Sequence, residues 1–153
     1  MQLQVTIALA LGMAVPAQAC WDDAAARYQV NATLLHAIAR TESGVNPRAI
    51  GRNRNGSRDV GLMQINSGWL PTLARHGITE QDLFDPCTNL HVGAWILAHN
   101  FARLGYTWEA VGAYNAVRPD ARRAYIDKVR RHLPVAHPAP APGPSSPVST
   151  PAR

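Results

Sequence analysis

Apolar residues recur at helical spacing through most of the middle of the chain. Leu34, Leu35, Ile38 and Ala39 share one face of a segment over 33–43, which Gly44 closes and Pro47 follows. A longer stripe of Leu90, Ala94, Leu97, Phe101 and Leu104 marks a second helix. Asp85 and Pro86 supply its N-cap and first position, and Gly105 its stop. Shorter helices are predicted over 22–30, 67–76, 107–115 and 120–132, with a cap and first turn at 79–82. Between them, 45–61 reads as a long loop of Asn, Arg and Gly. No repeat and no convincing strand pattern occurs. The expected fold class is all-α, or α with a minimal β-loop region.

The two ends follow different patterns. Residues 1–4 are polar, 5–15 are apolar, and Ala17-Gln18-Ala19 is a small-x-small site. That order predicts a signal peptide over 1–19, cleaved before Cys20, and hence export. Beyond it, no apolar run reaches the roughly 18–20 residues that span a bilayer, so no membrane segment is expected after processing. From Pro134 to Arg153, seven of twenty residues are proline, interspersed with Ala, Ser and Gly. Such a composition predicts an extended, disordered tail. The folded domain is therefore expected over 20–133.

Composition narrows the class further. The chain has 153 residues, 46% hydrophobic and 16% charged, which excludes a wholly disordered or collagen-like protein. Of the net charge of +5, a surplus of four lies between Arg118 and Arg131 (six cations against Asp120 and Asp127). A basic helix invites a nucleic-acid reading. For an exported protein, anionic polymers outside the cytoplasm fit better, a merely solvated basic face fits better still, and no nucleic acid partner is expected. The six histidines, His91 and His99 among them, lack metal-ligand spacing. There is no Cys-x-x-Cys or His-Glu-x-x-His, so neither metal nor cofactor is expected.

The two cysteines, Cys20 and Cys87, form an even count in an oxidising compartment, which suggests a bridge. It would close a large loop, for which the chain-entropy model gives about 4 kcal/mol. Two free buried thiols, or an acylated Cys20, are the competing readings.

Candidate chemistry begins with scarcity. The chain has three glutamates, Glu42, Glu80 and Glu109. Glu80 and Glu109 occupy first-turn positions, where the helix dipole accounts for them. Glu42 lies seven positions after Leu35, which at about 100° per residue puts both within roughly 20° on the helix. It therefore projects from the apolar face. A carboxyl partly desolvated there has a raised pKa and can act as a general acid.

Three motifs surround that glutamate: Glu42-Ser43-Gly44, then Gly61-Leu62-Met63-Gln64-Ile65-Asn66, then Ala113-Tyr114-Asn115-Ala116. In order and spacing they resemble the soluble lytic transglycosylase domain. The resemblance extends over almost all of 20–133. It is nearest to the small members that accompany bacterial type III or type IV secretion and conjugation systems. Cys20-Trp21, Asp59-Val60, Asp85-Pro86-Cys87 and Gly93-Ala94-Trp95-Ile96-Leu97 are shared with that subgroup. Val117 departs from it, standing where the family usually has glycine.

The resemblance implies a lysozyme-like helical fold with a substrate cleft for peptidoglycan glycan strands. Glu42 would be the catalytic acid and base, cutting between N-acetylmuramic acid and N-acetylglucosamine to leave a 1,6-anhydromuramyl end. The 2-acetamido group can stabilise the cationic centre, so one carboxylate suffices where ordinary glycosidases usually need two. Substrate-binding roles fall to Ser43, near Glu42 or the acetamido group, and to Met63, Gln64 and Asn66 as a cleft wall. Tyr114 and Asn115 would face Glu42, and Tyr125 would position it. Leu62, Ile65 and Trp95 read as core. Two other functions compete: a goose-lysozyme-like hydrolase in which Asp59 holds a water, and a non-catalytic wall-binding adaptor for secretion machinery. Deletion of 135–153 should leave the melting temperature and glycan cleavage nearly unchanged, because the tail has little apolar surface to bury. Thermal melts and sacculus digestion check this; a large drop in melting temperature would show that the tail packs on the domain.

Overall fold

The computed structural model describes residues 17–134, with side chains from Cys20 onward. The segments expected as signal peptide and tail lie outside the described residues, apart from their edges at 17–19 and Pro134. Six α-helices, two short 3-10 turns (Ser67–Trp69 and Gln81–Phe84) and one small sheet make up the described part. Helix α1 (Ala17–Tyr28) begins earlier than the sequence pattern predicts, and α2 (Ala32–Ser43) follows after one turn. A three-stranded antiparallel sheet comes next, with β1 (Ile50–Arg52), β2 (Arg58–Val60) and β3 (Ile65–Asn66) in that order. Then come α3 (Leu70–Ala74), the long α4 (Pro86–Leu104), α5 (Trp108–Gly112) and α6 (Pro119–Arg131).

The helices obey their caps. Asn31 accepts a hydrogen bond from the Leu34 N–H at 3.1 Å, which starts α2. Gly44, at φ 64°, ends it with N–H contacts back to the last turn. Asp85 accepts from the Thr88 N–H at 2.7 Å and Pro86 takes the first position of α4. Expected helix 67–76 is divided: a 3-10 turn over Ser67–Trp69 precedes α3, whose N-terminal Pro71 lacks an N–H. Expected helix 107–115 is also shorter. The chain leaves α5 after Gly112 and turns through Tyr114 and Asn115 before α6.

The sheet corrects the expectation of a plain loop over 45–61. Ile50 pairs with Val60, Gly51 with Asp59 and Arg52 with Arg58; Asp59 also faces Asn66 across β2 and β3. Strands this short have no room for an alternating pattern, and β1 is mostly exposed.

Helix α4 forms the centre of the core. It buries Leu90, Val92, Ala94, Ile96 and Leu97, a wider face than the single predicted stripe. Helix α1 packs along it and is tied to it by a disulfide between Cys20 and Cys87, with Cα atoms 5.5 Å apart. Trp21 stacks on His36 of α2, ring centroids 3.6 Å apart. Among the described residues no helix is long and apolar enough to cross a membrane.

Among the described residues Asn89 and Asn100, both of α4, are buried polar side chains, and Asn89 is wholly enclosed. Asn89 of α4 accepts from the Met63 N–H at 2.7 Å and donates to the carbonyls of Val60 and Leu83, each at 2.8 Å. These bonds hold the turn after β2 against α4. Gly61 makes the approach possible: its φ is 77°, and an added Cβ would lie 2.4 Å from Asn89 Nδ2. Gly93 does the same for Met63, whose side chain would be 2.8 Å from a Cβ there. Replacing Asn89 by Leu keeps the branched outline of the side chain but takes away the groups that pair with the Met63 amide and the Val60 and Leu83 carbonyls. We expect destabilisation on the order of 3 kcal/mol in urea unfolding, where a loss under about 0.5 kcal/mol would contradict this role.

Candidate active site

Glu42 stands one residue from the end of α2, and the burial of Leu34, Leu35, Ala37, Ile38 and Ala39 fixes where it points. Tyr125 of α6 donates its hydroxyl to Glu42 Oε1 at 2.5 Å. Tyr125 is itself buried, so the pair joins α2 to α6 at the rim of the core. Desolvation raises the Glu42 pKa from 4.5 to about 7; the Tyr125 hydrogen bond opposes the rise and the nearby Asp59 charge adds to it. Asn115 and Lys128 pull it down further, by a side-chain hydrogen bond and by charge. The other two glutamates are differently placed. Glu80 stands just before a 3-10 turn over Gln81–Phe84 and pairs with Arg58 at 2.7 Å, and Glu109, in the first turn of α5, pairs with Arg122. Glu42 makes no ion pair among the described residues.

Glu42 opens into a cavity of about 720 Å³. One wall is the hairpin of β1 and β2, with Asn53, Ser57 and Asp59; another is Gln64, Asn66 and Trp69; Tyr114, Asn115 and Val117 close a third side. Asp59 is held by amides and not by a guanidinium. Its two oxygens accept from Asn53 Nδ2 at 2.9 Å and Asn66 Nδ2 at 2.7 Å. Arg58, beside it in β2, pairs with Glu80 instead.

The expected site residues divide into two groups. Gln64, Asn66, Tyr114 and Asn115 all line the cavity with Glu42. Gln64 has a positive φ of 49° and anchors its amide to the Gly61 carbonyl at 2.8 Å. The Tyr114 hydroxyl donates to the Met63 carbonyl at 3.0 Å. Burial and the Glu42 charge push the Tyr114 and Tyr125 hydroxyls well up, so both remain donors at neutral pH. Ser43 and Met63 stand behind the wall. The Ser43 hydroxyl donates to the Leu62 carbonyl at 2.7 Å and accepts from the Asn46 N–H at 2.9 Å, clamping the end of α2. The Met63 side chain is fully buried, and only its backbone serves the site. Ile65 is buried yet contributes to the cavity lining.

Sequence reasoning missed Trp69, Asn53 and Asn89. Trp69 meets Trp95 edge to face at 5.4 Å and leaves part of its ring to the cavity. A tryptophan after Ser67-Gly68, outside any apolar stripe, was the available signal. Arg122 was read as part of a basic face. It also donates Nε to the Ala116 carbonyl at 2.8 Å, bracing the turn that carries Tyr114 and Asn115. Among the described residues, no three His, Cys, Asp or Glu side chains converge as metal ligands would.

With this geometry in view, the profile of the transglycosylase SLT domain matches residues 19–130. The chain belongs to that family. Membership makes it a peptidoglycan lytic transglycosylase, the mainly helical kind with a small sheet. Invasion protein IagB of Salmonella typhimurium is 48% identical over 115 residues, covering 72% of each chain. Protein IpgF of Shigella flexneri is 42% identical over 123 residues, covering 76% of this chain and 81% of its own. A solved structure of an inactive mutant of lytic transglycosylase Slt from Pseudomonas aeruginosa superposes with a TM-score of 0.62 at 23% identity. That match covers 76% of this chain but only 23% of the larger enzyme, and it supports the lysozyme-like fold.

The raised Glu42 pKa has a consequence for stability. The folded protein holds a proton on Glu42 up to about pH 7, whereas the unfolded chain releases it near 4.5. Its contribution is therefore fully present below pH 4.5 and is lost as pH rises through 7. A Glu42→Gln transglycosylase should melt higher than wild type at pH 8, with the gap closing by pH 5. Melting curves across that range check this, and a constant gap would contradict the shift.

Proposed function

We propose that this transglycosylase cleaves the β-1,4 bond between N-acetylmuramic acid and N-acetylglucosamine and leaves a 1,6-anhydromuramyl end. One observation carries the reading: Glu42 opens into the cavity with its pKa raised by burial to about 7 and its carboxyl hydrogen-bonded by Tyr125. A group with a pKa about 7 can donate and recover a proton in one cycle. Glu42 first protonates the bridging oxygen, and the N-acetylglucosamine leaving group departs. The 2-acetamido group stabilises the cationic anomeric carbon. Glu42, now a carboxylate, then takes the proton of the muramyl 6-hydroxyl as its oxygen bonds to that carbon. The proton returns to Glu42, and no water is consumed.

The other groups have supporting roles. Tyr125 keeps Glu42 oriented while donating to either of its forms. Asn115 and Gln64 offer amides to sugar hydroxyls or the acetamido group, and Trp69 offers a ring for a sugar face. An exported, periplasmic enzyme that opens the wall for a secretion or conjugation apparatus fits three observations. The domain carries a disulfide, a signal-like segment precedes it, and one relative is named an invasion protein.

A hydrolytic, goose-lysozyme-like outcome has one observation in its favour: Asp59 lines the same cavity. Its oxygens already accept from Asn53 and Asn66, which favours a structural role in bracing the hairpin. Glu42→Gln should abolish cleavage of purified sacculi while the protein stays folded, and wild-type-like turnover would sink the mechanism. Asp59→Asn should lose activity modestly and still yield anhydro ends by mass spectrometry. Loss of about 10²–10⁴-fold, with reducing ends from wild type, would favour the hydrolase instead.

A further inference from the structure

Among the described residues one cation, Arg54, lines the cavity, and no partner for it is found there. Arg54 sits in the turn between β1 and β2 on the same cavity as Glu42 and Asp59. Both carboxylates are otherwise engaged, Glu42 by Tyr125 and Asp59 by Asn53 and Asn66. The neighbouring Arg58 is taken by Glu80. Arg54 itself makes no ion pair or hydrogen bond among the described residues.

The turn that carries it is nevertheless firmly built. The Asn53 N–H donates to the Ser57 carbonyl at 2.9 Å and the Gly56 N–H to the Asn53 carbonyl at 3.0 Å. Asn55 Oδ1 accepts from the Ser57 N–H at 3.0 Å and from its hydroxyl at 2.8 Å. Gly56 takes a φ of 83° to close the turn. A saturated turn thus presents an exposed, unpaired guanidinium at the cavity mouth, where the fork geometry suits a carboxylate arriving with the substrate.

The charges on a glycan strand lie on its stem peptides, as carboxylates and as the amine of any uncrosslinked diamino residue, and only the carboxylates can pair with a guanidinium. The sugars are neutral, and the muramyl lactyl carboxyl is tied up in the amide to the stem peptide. The remaining carboxylates are those of the stem. We infer that Arg54 is a specificity-determining residue that binds a stem-peptide carboxylate on the glycan strand. The assignment rests on the transglycosylase reading for its substrate and adds to it a preference for stem-bearing strands.

The test compares native strands with strands whose stem carboxylates have been converted to methylamides by carbodiimide coupling before use. Binding is measured in a Glu42→Gln background, with and without Arg54→Gln, and kcat and KM in the corresponding Glu42 proteins. Arg54→Gln should weaken binding to native strands about five- to tenfold, raise KM and leave kcat nearly unchanged. Amidated strands should bind the Arg54 protein as weakly as native strands bind the variant, and the two losses should not add. Arg54→Lys should recover part of the affinity, and added salt should erase the difference. Equal binding of native and amidated strands by the Arg54 protein would overturn the inference, as would an equal loss on both substrates in the variant. The ends formed by wild type report separately on the reaction type. Anhydro ends with no Arg54 effect would remove this inference alone.

Discussion

The hydrogen bond from Tyr125 to Glu42 joins residues 83 positions apart in sequence and sets the terms for the rest of the domain. A carboxyl this poorly hydrated is held only where packing leaves no alternative. Helix α2 provides that packing by burying Leu35, Ile38 and Ala39 completely, so its last turn cannot rotate. Helix α6 answers by burying Tyr125 and Val129. Neither helix could shift without either losing apolar contacts or leaving the Tyr125 hydroxyl unpaired.

The surrounding bonds make sense as supports for that pair. Ser43 ties the end of α2 to Leu62, and Arg122 ties α6 to Ala116. Asn89 fixes the turn that starts at Gly61. Two non-glycine residues with positive φ flank the region, Val45 just after α2 and Gln64 in the cavity wall. Such conformations are disfavoured and persist where neighbours over-determine them. Here Val45 returns its N–H to Ala39, and Gln64 anchors its amide to Gly61.

Much of this was legible from the residues alone, and the failures have physical causes. The long helices announced themselves because capping chemistry and apolar spacing agree over many turns, as at Asp85, Pro86 and Gly105. Glu42 stood out because it continues an apolar face. The sheet was not legible, since strands of two or three residues leave no periodic trace. The partners of Ser43, Met63 and Asp59 were hidden for another reason. Leu62 for Ser43 and Asn89 for the Met63 amide lie 19 and 26 positions away, and Asn53 and Asn66 reach Asp59 only once the short strands fold together. A motif reports that a residue is needed without saying whether its side chain faces substrate or core. Asn89 shows the same limit from the other side, for an asparagine inside a helix reads as surface until its three partners are seen.

The proposed mechanism has Glu42 alone carrying the proton, poised near neutrality by burial where the end of α2 meets Tyr125 of α6. The most direct measurement is a carbon-13 NMR titration of the Glu42 side-chain carboxyl in the intact protein, assigned by its loss in Glu42→Gln. The account predicts a transition at about pH 7 for Glu42. A transition near 4.5, the value of a freely hydrated glutamate, would contradict it.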